Sequence, residues 1–110
     1  MICDFGDVAI VPFPFLESDL SKIRPALILS KIEFNEANGS TLLAMITTAK
    51  QSSWPSDLDI SEIGPAGLKR PSYVRWKVFT LPNQLIDRVI GRLAADDLHA
   101  ALQGLRQILP

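Results

Sequence analysis

Three kinds of side chain in this sequence have the chemistry to act together on a charged substrate: a guanidinium, a hydroxyl and a carboxylate. Arg24 stands directly before Pro25 and the apolar run Ala26-Leu27-Ile28-Leu29. A permanently charged five-donor fork at the lip of a strand can meet a phosphate or a carboxylate. The competing use is an ion pair with an acidic neighbour such as Asp19. Thr47 closes another apolar run, Thr41 to Ile46, and Thr48 follows it. An arginine and a hydroxyl suit a phosphodiester, whose transition state gathers negative charge on the non-bridging oxygens. Threonine is no general base near neutral pH, so its part would be hydrogen bonding. The competing use is to satisfy the strand's own backbone end. In the loop before Arg24, Asp19 or Glu17 could accept a proton if its pKa is raised.

Other chemistries find no support. One cysteine, Cys3, and one histidine, His99, make neither a zinc site nor a disulfide. The carboxylates lack calcium-loop spacing, and the glycines are scattered rather than gathered into a phosphate loop. No metal and no cofactor are expected. His99 falls on the polar side of a helical stretch and reads as a surface residue rather than the base of a triad. The formal net charge is −1, so nucleic-acid binding would need a local patch. Lys69, Arg70, Arg75 and Lys77 supply one, with no acidic residue between Lys69 and Lys77. That cluster suits an anion-facing groove, against the alternative of a solvated strand face.

These residues need a scaffold, and 110 residues at 47% hydrophobic are enough for one domain spanning 1–110. The run Val8 to Val11 is apolar on both alternating faces and ends at Pro12 and Pro14, which lack the N–H a ladder needs. Pro25 pushes Arg24 into extended geometry and fits a strand start, with Ala26 to Leu29 buried on both faces. Glu33 to Ala37 has room for one helical turn. Thr41 to Ile46 is a third interior strand. Asp57-Leu58-Asp59-Ile60 alternates as a half-exposed strand does. In Ser72 to Lys77, alternation sets Val74 and Trp76 on one face and Tyr73, Arg75 and Lys77 on the other. Val89, Ile90 and Leu93 suggest a short last strand. From Asp96 to Leu109, apolar residues at Leu98, Ala101, Leu102, Leu105, Ile108 and Leu109 recur at helical spacing. Ala94 or Ala95 would make a poor N-cap. The fold predicted is mainly β (α+β): a small barrel, closed to remove its edges, with a C-terminal amphipathic helix. No basic stretch leads into an apolar segment at the start, and no apolar run approaches the ~18 residues of a spanning helix.

The order of motifs resembles the MazF/PemK family of toxins from type II toxin–antitoxin systems. The residues that carry the resemblance are Gly6-Asp7-Val8, Val11-Pro12-Phe13-Pro14-Phe15, Lys22-Ile23-Arg24-Pro25-Ala26-Leu27-Ile28-Leu29-Ser30 and Ile46-Thr47. Further on come Pro71-Ser72-Tyr73-Val74-Arg75, Ile90-Gly91-Arg92-Leu93 and Asp97-Leu98. The resemblance implies an SH3-like barrel, a homodimer, and a metal-independent endoribonuclease that cuts single-stranded RNA through the 2′-hydroxyl and inhibits translation in the cytoplasm. It implies that Arg24 and Thr47 are catalytic, that Asp19 is the loop acid, and that a cognate antitoxin with an acidic tail is a partner. On that reading Arg24, Lys50, Arg70, Arg75 and Lys77 hold phosphates, and Trp54 or Phe15 stacks a base. The alternatives are a gyrase poison resembling CcdB, which cleaves nothing, and an inactive antitoxin-binding scaffold. The chain ends Gln107-Ile108-Leu109-Pro110 without the tryptophan of the gyrase poisons, and it has the Arg-Pro and threonine pair.

Overall fold

The three apolar runs form the middle of a six-stranded antiparallel sheet in a computed structural model that describes residues 1–13, 23–48 and 53–110. Strand β1 is Asp7–Pro12, β2 is Ile23–Ile28 and β3 is Ser40–Thr47. The short helix α1, Ile32–Asn38, links β2 to β3. Then follow β4 (Leu58–Asp59), β5 (Tyr73–Pro82), β6 (Arg88–Arg92) and the helix α2 (Ala95–Ile108). Across the sheet the order is β4-β5-β3-β2-β1-β6.

Runs that are apolar on both faces need cover on both, and they have it. Val8, Leu27, Ala44, Ile46 and Val74 join a core that takes in Trp76, Leu93 and Ala101, with Leu98 and Leu105 of α2 packed on it. The alternate residues Ala9, Val11, Ala26, Ile28 and Leu43 join a second core with Cys3, Phe13, Leu81 and Ile86. Leu27, Ile28, Leu43 and Ile46 are essentially inaccessible to solvent, and each such side chain contributes ~1.5–3 kcal/mol by leaving water. Burial pushes the Cys3 thiol up from its ordinary pKa, which suits the inert residue its position suggests.

Four features depart from the sequence reading. Strand β2 begins at Ile23, so Arg24 and Pro25 lie within it. Strand β5 runs on to Pro82, and its pairing with β3 shifts between Ala44 and Met45: Ala44 pairs with Val78, but Met45 pairs with Arg75. The extra residues, Trp76 and Lys77, form a bulge, and simple alternation cannot anticipate one. The barrel is a curled half-barrel, and among the described residues β4 and β6 are the sheet edges. The loop after β4 lies over β6 instead, where Arg92 N donates to the Pro65 carbonyl at 2.9 Å. Last, the apolar face of α2 outruns the core, leaving Ile108 and Leu109 exposed. No side chain caps α2 at Ala94, as expected. Asp97, in the first turn of α2, accepts from Ser61 N, Ser61 Oγ and Glu62 N, tying α2 to the loop after β4. No helix of the described residues is long and apolar enough to cross a membrane.

Candidate active site

Register brings the two candidate catalytic residues together. In the β2–β3 ladder Ile28 pairs with Leu43, Leu27 with Ala44 and Ala26 with Met45. The same antiparallel register, carried two residues further, sets Arg24 opposite Thr47. Period-two alternation puts Arg24 in the row of Ala26 and Ile28, and Thr47 in the row of Met45 and Leu43. Both rows lie on the face of the second core. The row extends sideways, because Val11 pairs with Arg24 on one flank and Tyr73 pairs with Thr47 on the other. Along each strand the side chains are apolar until the rim and polar there. Arg24 is exposed and Thr47 half-buried. Together with Pro25, Met45, Ile46, Thr48 and Ser72 they line a cavity of about 350 Å³. The alternative of an Arg24–Asp19 ion pair lies outside the described residues.

Beside this row a second arginine serves the fold itself. Arg75 is 6% exposed, and its Nε and Nη2 donate to the two carboxylate oxygens of Asp57 at 3.0 and 2.8 Å. That paired hydrogen bond holds the Asp57 carboxyl below its ordinary pKa, against the opposing pull of burial. Asp57 also accepts from Trp54 N at 3.0 Å, while its own N–H donates to the Trp54 carbonyl at 2.9 Å. The carboxylate therefore closes the turn that carries Trp54. The guanidinium carbon of Arg75 lies 5.6 Å from the centroid of the Trp54 ring, within cation–π range. Trp54 is 40% exposed, so part of the indole stands on charge held inside the protein and part faces solvent.

The family profile described as "PemK-like, MazF-like toxin of type II toxin-antitoxin system" matches residues 4–109. The chain belongs to this toxin family. Solved structures agree on the fold. MazF from Deinococcus radiodurans superposes with a TM-score of 0.75 at 21% identity, covering 98% of this chain and 96% of that one. An endoribonuclease from Mycobacterial species in complex with its cognate antitoxin gives 0.75 at 17% identity, covering 99% and 96%. The Mycobacterium tuberculosis toxin MazF-mt6 gives 0.69 at 24% identity, covering 92% and 93%. A search of curated proteins returns no significant match.

In this MazF-like toxin the expected site residues divide into four groups. Arg24 and Thr47 share one cavity, and Thr48 lines it too. Arg70 and Lys77 are exposed, Arg70 at the corner before β5 and Lys77 in the bulge. Arg75, expected on an anion-facing surface, is buried against Asp57. Asp19, Lys50, Glu17 and Phe15 lie outside the described residues. Sequence reasoning missed Asp57, whose partner is eighteen positions away. The alternation of Asp57 with Leu58 and Asp59 was its only signal. It also passed over Ser72, whose buried hydroxyl donates to the Arg70 carbonyl at 2.8 Å and stiffens the Arg70-Pro71-Ser72 corner.

Proposed function

We propose that this toxin is an endoribonuclease that cleaves single-stranded RNA without a metal ion and thereby inhibits translation. The observation that carries the reading is that Arg24 and Thr47, on neighbouring strands, line one cavity. Membership of the toxin family supports it. The ribose 2′-hydroxyl attacks the adjacent phosphorus, the bond to the 5′-oxygen of the next nucleotide breaks, and a 2′,3′-cyclic phosphate forms. Arg24 offers its fork to the non-bridging oxygens, where negative charge grows. Thr47 hydrogen-bonds to the same group. A carboxylate takes the proton of the attacking hydroxyl, and Asp19 is the residue proposed for that part. Arg70, Lys77 and Lys50 hold flanking phosphates. Trp54 stacks a base, with Arg75 behind its ring rather than on a phosphate. The Arg-Pro and threonine pair favours cleavage over gyrase binding.

The same surface gives the partner reading. An acidic, partly apolar antitoxin segment would compete with RNA for the exposed cations, and a homodimer in the cytoplasm is the proposed working form. The decisive experiment incubates the purified protein, with excess EDTA, with a long unstructured RNA beside Arg24→Ala and Arg24→Lys. The expected result is upstream fragments ending in a cyclic or 3′-phosphate. Cleavage should be lost in Arg24→Ala and poor in Arg24→Lys, since a point charge cannot replace the fork. Full activity of Arg24→Ala, or a 3′-hydroxyl on the upstream fragment, would overturn the assignment.

A further inference from the structure

A second cavity adjoins the first. Among the described residues it is lined by Thr48, Arg70, Pro71 and Tyr73, and its volume is about 370 Å³. Each cavity falls in the ~300–1,000 Å³ range of small-molecule sites. They share Thr48, and their other common border is the chain 70–73, since Ser72 lines the first and its neighbours line the second. Tyr73 pairs with Thr47 in the β3–β5 ladder, so it stands one strand away from the proposed catalytic row. The wall is built rather than incidental. Ser72 Oγ holds the Arg70 carbonyl, and the Ser72 carbonyl accepts from Ile60 N at 3.0 Å. Pro71 restricts the backbone between them.

We infer that this cavity is a nucleotide subsite: it takes the nucleoside next to the scissile phosphate and sets the base preference at that position. The inference rests on the ribonuclease reading above. Tyr73 offers a π-face of the kind on which unstacked bases rest, and Pro71 offers an apolar wall. Arg70 supplies charge for the phosphate leading out of the site, and the Thr48 hydroxyl can give or accept a hydrogen bond at a base edge or a 2′-oxygen. Thr48 lines both cavities, so a strand whose reacting phosphate lies at Arg24 and Thr47 has a route past Thr48 into the second. An aromatic face beside a cation, next to the proposed phosphate site, suits a base and its phosphate and favours RNA over a peptide as the occupant.

The test uses the full chain and an oligonucleotide carrying the cut site that the wild type itself prefers. A single 2′-deoxy substitution at the cut blocks attack, so affinity can be read without turnover. The base is then removed from the flanking nucleotide on each side in turn. In the wild type, removal on one side is expected to weaken binding about fivefold or more. Tyr73→Leu should bind weakly and lose nothing further from that removal, and Tyr73→Phe should restore both affinity and sensitivity. Arg70→Gln should weaken binding and flatten its salt dependence while the base sensitivity remains. Circular dichroism melts identify any variant that has failed to fold, and Tyr73→Phe stands as the folded comparison.

Equal penalties in the wild type and a folded Tyr73→Leu would overturn the subsite, with cleavage by the wild type leaving the ribonuclease reading in place. A wild type that neither cleaves nor binds RNA would overturn both. If Tyr73→Leu weakens binding of a synthetic Glu/Leu-rich peptide and leaves RNA untouched, the cavity serves a protein partner and the inference fails.

Discussion

Asp57→Ala should be among the most damaging single changes outside the two apolar cores. The carboxylate answers the Arg75 guanidinium twice and the Trp54 N–H once. Both side chains of the pair are close to fully buried, at 7% and 10% exposure. Removing one partner of a buried ion pair typically costs ~3–5 kcal/mol. Arg75 has interactions besides Asp57, so the lower end, about 3 kcal/mol, is the expected loss. For a domain of this length each kcal/mol moves Tm by ~4 °C, which predicts a drop of about 12 °C. The assay is a urea and thermal melt of Asp57→Ala, Arg75→Met and the double variant. The double variant removes both charges of the pair, so it should recover much of the loss and give a coupling energy above ~1.5 kcal/mol. Strict additivity, or a loss below ~1 kcal/mol in Asp57→Ala, would refute the claim that the pair is internal and would return Arg75 to the surface.

Thr47→Ala should lower the cleavage rate by ~10²–10³, as loss of a transition-state donor does, with little change in RNA affinity; damage from Thr48→Ala alone would shift the catalytic hydroxyl by one position. Gly67→Ala should cost more than about 2 kcal/mol, because its φ is +74° and a Cβ would stand 2.1 Å from the Ile90 carbonyl oxygen; Gly39→Ala, at φ +69° with open space around it, should show only the left-handed cost of ~1–2 kcal/mol, and equal losses would show that the loop is free to move off β6. Acid should destabilise the fold in a defined window. Burial alone would raise the Asp97 carboxyl, but bonds from Ser61 Oγ, Ser61 N and Glu62 N hold it below its ordinary value, and Asp57 is depressed likewise. Both contributions are complete above the unfolded value of ~3.9 and fade as pH falls through the depressed folded values. Asp97→Asn should therefore flatten the stability profile below about pH 4, and an unchanged acid slope would show that Asp97 titrates alike in both states.

The sequence by itself determined which segments become interior strands and which face the long helix buries. Val8–Val11, Ala26–Leu29 and Thr41–Ile46 are apolar at every alternate position on both sides, and such runs are stable only between two layers. The Arg-Pro pair marked a strand near its rim for a similarly local reason, the restriction proline places on itself and its neighbour. Tertiary structure decided everything that depends on what lies across the sheet. The pairing of β2 with β3 brought Arg24 and Thr47 to one cavity, and register is a property of two strands, legible in neither alone. The bulge at Trp76–Lys77 broke the alternation that had grouped Arg75 with Lys77, so one of these cations is buried on Asp57 and the other exposed. The side chain that pairs with Asp57 lies eighteen positions away, and the donors to Asp97 lie about thirty-five positions away, so neither carboxylate could be matched to them from the sequence. Hydrophobic periodicity reports how much of a residue is buried; it carries no information about which distant polar group meets it there.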